Sequence, residues 1–75
     1  QQVERAELWR AVKQCRRGLT PRERRAIWAR FFDEQTYREM MSELNVTSER
    51  GAQYVVNQAI QRLRDCLRGK GYEAI

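Results

Sequence analysis

The sequence predicts an all-α fold, and three observations carry that prediction. Apolar residues recur at helical spacing almost everywhere, with no strict alternation of apolar and polar positions. Two Thr-x-x-Glu boxes, Thr20 with Glu23 and Thr36 with Glu39, stand where helices would start. A short apolar segment ending at Leu44 and a long amphipathic one are separated only by Asn45-Val46-Thr47. Together these give a four-helix domain with a helix-turn-helix.

The first helix is expected over residues 3–17, with Val3, Leu8, Trp9, Val12 and Cys15 as its buried stripe. Gly18 ends it after Arg16 and Arg17, whose charge suits the negative end of the helix dipole. The second starts with Thr20 as cap, Pro21 in the first helical position and Glu23 closing the box. Leu19 stands where a hydrophobic staple would. Ala26, Ile27, Phe31 and either Trp28 or Phe32 are expected to face inward. Asp33, Glu34 and Gln35 make a short loop. The third helix opens at Thr36 and runs through Leu44, with Met40, Met41 and Leu44 as its apolar side. Asn45 tolerates the left-handed backbone a tight turn needs, and Val46 is expected to plug that turn into the core. Either Thr47 or Ser48 caps the fourth helix. Its stripe is Ala52, Val55, Val56, Ala59, Ile60, Leu63, Cys66 and Leu67. It should run to about Arg68 and stop at Gly69, where a frayed tail begins.

Seventy-five residues make one domain at most. A chain of this size buries only about 60% of its unfolded surface, so its core is thin and dependence on a partner is expected. Opening on Gln1-Gln2 in place of Met is what a piece of a larger protein would show. Fifteen Lys plus Arg face ten Asp plus Glu, a net charge of +5, and thirteen of the cations are Arg. Guanidinium forks suit phosphate and carboxylate. The balance points to a polyanion such as nucleic acid, with an acidic protein surface or a merely solvated face as alternatives.

Cys15 and Cys66 have no second pair and no His beside them, which excludes a four-ligand zinc site. Both fall on apolar stripes and read as core thiols in a reducing cytosol, so a cytoplasmic location is expected. No apolar run approaches the ~18 residues of a membrane span, and no signal peptide is visible. Catalysis finds no support: there is no His, neither Cys has an evident base, and no Gly-rich phosphate loop occurs. A binding module that is not an enzyme, with no metal, cofactor or membrane, is expected.

In a helix-turn-helix the second helix lies in the DNA major groove, its first residues reading base edges. Thr47, Ser48, Glu49, Arg50 and Gln53 occupy that place here. Arg bonds guanine, Gln bonds adenine and Glu accepts from cytosine. For Ser48 a capping role, and for Glu49 a helix-dipole role, are equally open. Arg38 stands where backbone phosphate is usually within reach, or else pairs with Glu39 or Glu34. Thr36 either donates there or caps. Arg22, Arg24 and Arg25 open the second helix against its dipole, so helix stability alone does not account for them; solubility is the plain alternative. Arg62, Arg64, Arg68 and Lys70 complement the dipole of the last turns. Trp9, Trp28, Phe31 and Phe32 read mostly as core, with one or two left as interface anchors.

Several of these pieces fall in a familiar order. Leu19-Thr20-Pro21-Arg22-Glu23-Arg24-Arg25 is followed by Thr36-Tyr37-Arg38-Glu39-Met40. Leu44-Asn45-Val46-Thr47, Glu49-Arg50, Gln53 and Ala59-Ile60-Gln61-Arg62-Leu63-Arg64 come next. In that order and approximate spacing, residues 7–64 resemble the fourth conserved region of bacterial sigma factors. Departures from the family pattern are Met41 in place of a small residue, Asn45 in place of Gly, and one extra residue between Val46 and Ala59. Gly51 stands where a branched apolar residue is usual, and the basic residue just after it is missing. Such departures fit a divergent sigma-like protein of a phage or other mobile element. The resemblance implies two partners: double-stranded promoter DNA, and the RNA polymerase core through the flexible flap of its beta subunit. For Arg22, Arg24 and Arg25 it implies polymerase docking or phosphate contact. Two other readings stay open. One is a dimeric helix-turn-helix repressor or response-regulator output domain. The other is a protein-only adaptor that has lost DNA binding.

Overall fold

The computed structural model describes residues 5–72, which form four helices and no strand. These are α1 (Arg5–Arg16), α2 (Pro21–Phe31), α3 (Tyr37–Leu44) and α4 (Glu49–Gly69). Val3, expected to begin the first stripe, lies outside the described residues.

Local side-chain chemistry sets where α2 and α3 begin. Thr20 is extended; its hydroxyl accepts from the Glu23 N–H at 3.1 Å, and the Glu23 carboxylate accepts from the Thr20 N–H at 2.9 Å. Thr36 and Glu39 repeat the arrangement at 3.1 and 2.7 Å. Each box satisfies two N–H groups that the helix itself leaves unpaired. Leu19 is buried, but the fourth residue of α2 is Arg24, so no apolar staple forms. The Arg24 guanidinium instead donates to the Leu19 carbonyl at 2.7 Å.

The backbone and hydroxyl of Thr36 favour the charged form of Glu39 and hold its carboxyl below the ordinary value of 4.5. A carboxyl lowered on folding stabilises fully above its unfolded value and loses that contribution as pH falls through the folded one. Glu39→Gln should therefore melt below the wild type at neutral pH, with the gap closing in acid. Circular-dichroism melts at pH ~7 and ~3 check this; a gap that persists in acid would mean the charge is irrelevant.

One core joins α2, α3 and α4: Ala26, Ala29, Met40, Leu44, Ala52, Val55 and Val56, with Tyr37, Met41, Val46 and Ile60 packed on its edge. The α2 contribution is almost all alanine. Small side chains let α2 lie close on α4, whose Ala52 is fully buried in the same cluster. A second, smaller cluster fixes α1 to α4 through Ala11, Cys15 and Leu67, with Val12, Leu63, Cys66 and Tyr72 beside it. The molecule is elongated, 42 × 20 × 19 Å, with α4 as the spine to which the other three helices attach.

Three expectations are corrected here. Cys15 and Cys66 are not free thiols: they form a disulfide across 51 residues, with Cα atoms 5.7 Å apart. Each cysteine does lie on an apolar stripe; the two stripes face each other, which brings the Cα atoms inside bridging distance. The tail after Gly69 is ordered further than expected. Gly71 turns with φ 98°, the N–H groups of Gly71 and Tyr72 donate to the carbonyls of Arg68 and Leu67, and Tyr72 folds back onto the second cluster. Finally, Trp9, Trp28, Phe31 and Phe32 are not core; each is 51–56% exposed. Because α1 and α2 lean on α4 through Ala and Cys, their large residues lie on neighbouring faces that no further helix among the described residues covers.

Candidate nucleic-acid interface and apolar groove

The joint between α3 and α4 is a sharp break. Asn45 takes up the left-handed conformation (φ 57°, ψ 47°). Its N–H donates to the Ser42 carbonyl at 3.2 Å, and the Val46 N–H donates to the Met41 carbonyl at 3.0 Å. This pair of bonds closes the end of α3 in a Schellman motif, and Val46 then packs on the core. Ser48, not Thr47, caps α4, its hydroxyl accepting from the Gly51 N–H at 3.0 Å. Gly51 also has a geometric reason. A Cβ there would stand 3.3 Å from both the Ser48 hydroxyl and the Val46 Cβ, so the plug under the turn leaves little room for a branched residue.

Beyond that joint, Thr47, Ser48, Glu49, Arg50 and Gln53 all lie exposed at the start of α4. Ala52, Val55 and Val56 turn inward from the same turns. Arg50, Gln53 and Asn57 follow one another at helical spacing on the outer face, and Tyr54, 63% exposed, stands next to Gln53. The Tyr54 hydroxyl accepts from the Gln58 amide at 2.7 Å. Asn57 and Tyr54 were not singled out from the sequence, although counting three or four residues on from Arg50 and Gln53 reaches them.

The arginines divide by what holds them. Arg38 is exposed in the first turn of α3 and forms no ion pair with a described residue; Glu39 serves the capping box instead. Arg22 and Arg25 are exposed, and Arg22 shares a shallow depression with Tyr54 and Gln58, which places the start of α2 beside the outer face of α4. Arg24 is half-buried and tied to Leu19. Arg62 pairs at 3.2 Å with the nearly buried Glu23 carboxylate, tying α4 to the α2 cap. Arg30 donates to the Gln35 carbonyl at 3.2 Å and lies 4.7 Å over the Tyr37 ring, bracing the α2–α3 loop.

A second surface lies between α1 and α2. It is a groove of about 580 Å³ lined by Leu8, Trp9 and Val12 on one side and Ile27, Trp28 and Phe32 on the other, with Leu63 from α4. Trp28 and Phe32 stack at 4.6 Å. Arg5, Lys13, Arg16 and Arg24 surround this apolar lining. The groove therefore suits a partner with an apolar ridge and acidic flanks. Among the described residues no helix is long and apolar enough to cross a membrane. Comparison with protein-family models, curated proteins and solved structures finds no match for this chain.

Proposed function

We propose that this chain is a transcription-regulating module of the sigma-region-four kind, whose α3–turn–α4 unit works as a helix-turn-helix on promoter DNA. The observation that carries the reading is the break at Asn45, followed by an α4 whose first turns present Arg50 and Gln53 to solvent. Arg50, Gln53 and Glu49 supply the hydrogen-bonding groups that distinguish bases in the major groove. Arg38 and Arg22, both exposed, supply cations for the flanking phosphates. The net charge of +5 supports the same partner. RNA polymerase core is the second partner. Its beta flap meets the groove between α1 and α2, with Arg24 on the rim and Arg25 nearby. Work on promoter DNA and RNA polymerase belongs to the cytoplasm; that role, and not the state of the cysteines, which are bridged, supports the location.

Selection from a library of double-stranded DNA, followed by mobility shift, tests the DNA half. Arg50→Ala with Gln53→Ala should weaken binding to the selected site by more than ~1 kcal/mol. Unchanged binding would remove both residues from the reading set. The groove keeps one rival in play, a protein-only adaptor, because a large apolar surface flanked by arginines needs no DNA to explain it. No measurable DNA binding at low salt would favour that adaptor, whereas affinity that falls steeply with added salt would show phosphate engagement.

A further inference from the structure

We propose that the Cys15–Cys66 disulfide is a redox latch that holds α1 in place and so keeps the groove between α1 and α2 assembled. Four observations meet in this. The core of α2, α3 and α4 contains no residue of α1. Among the described residues, the cluster that holds α1 is small: Ala11, Cys15 and Leu67 are buried, Val12, Leu63, Cys66 and Tyr72 pack half-buried beside them, and the disulfide runs through it. One wall of the groove, Leu8, Trp9 and Val12, belongs entirely to α1. The bond can also be reached: both cysteines line a cleft of about 280 Å³ with Gln14, Gly18, Leu19, Arg62 and Asp65, and Cys66 is the more exposed of the two, half-buried where Cys15 is 3% exposed.

An isolated helix of the twelve described residues of α1 is marginal in water. Once the bond opens, α1 rests on α4 through the small cluster of Ala11, Val12, Leu63, Leu67 and Tyr72 and an exposed hydrogen bond from Lys70 to Gln14 at 2.8 Å. The chemistry is ordinary thiol–disulfide exchange with a dithiol reductant. Its thiolate attacks the Cys66 sulfur, the S–S bond breaks, and Cys15 leaves as a thiolate and is protonated. The second thiol of the reductant then displaces Cys66. Two protein thiols are formed, and the dithiol is oxidised to its cyclic disulfide. The latch itself does not depend on what docks in the groove; its regulatory meaning rests on the docking role proposed above.

Amide hydrogen exchange on the full chain, oxidised and then reduced with dithiothreitol, tests this without DNA or polymerase. Reduction should speed exchange across α1 by about tenfold or more while α3 and the first half of α4 keep their protection. Reoxidation should restore α1. The double variant Cys15→Ser, Cys66→Ser should match the reduced protein in either buffer. Unchanged α1 protection on reduction would overturn the latch. So would loss of protection across all four helices together, or a double variant that protects α1 as the oxidised protein does.

Discussion

Met40→Ala is expected to destabilise the protein by roughly 2–5 kcal/mol. Met40 is fully buried at the meeting of α2, α3 and α4, among Ala26, Ala29, Leu44, Ala52 and Val56. Its neighbours are largely alanine and β-branched valine, which are too short or too stiff to collapse into the space left behind. A domain of this length is stable by only about 4–11 kcal/mol, so the loss is a large part of the whole. Urea denaturation followed by circular dichroism measures it. Met41→Ala is the comparison: Met41 is half-buried at the edge of the same cluster and should cost clearly less. Equal losses at the two positions would mean that the three-helix core is not centred where the structure puts it.

Trp28→Ala should have the opposite profile, a large effect on partner binding and a small one on stability. Trp28 is 53% exposed, lies outside both buried clusters and stacks on Phe32. Losing that stack costs about 0.5–1.5 kcal/mol beyond the area the half-exposed ring buries. Truncating an aromatic anchor in a desolvated interface costs about 2–4 kcal/mol, so the docking role proposed above predicts that affinity for RNA polymerase core falls by roughly 30-fold or more. Titration of immobilised core polymerase with each variant, beside urea midpoints, separates the two quantities. If Trp28→Ala binds polymerase as the wild type does, the groove is not the polymerase contact.

The elements that local chemistry determines were legible in the sequence, and those that depend on how helices pair were not. The boxes at Thr20 and Thr36 act over three residues, and both form as read. The left-handed turn at Asn45, the plug at Val46 and the inward stripe of α4 follow equally from neighbours along the chain. The burial of Trp9, Trp28, Phe31 and Phe32 was misjudged because periodicity identifies an apolar face without saying whether anything covers it. On α2 the face that packs turned out to be the alanine one, since close approach to α4 outweighs the area an aromatic would bury. The cysteine pair was misread for a related reason: 51 residues of separation say nothing about distance until α1 is laid on α4. For Thr47, Ser48, Glu49, Arg50 and Gln53, exposure at the start of α4 agrees with the sequence reading, while Ser48 spends its hydroxyl on the Gly51 N–H. Arg24 likewise has work at Leu19 that no motif would reveal.

The covalent ring between Cys15 and Cys66 encloses α2, α3 and most of α4. A protease that nicks the peptide chain anywhere inside that ring, the loop at Asp33 and Glu34 included, therefore cannot part the two pieces. Electrophoresis without a thiol would show a single band near full mass, and the same sample boiled with one would resolve into two.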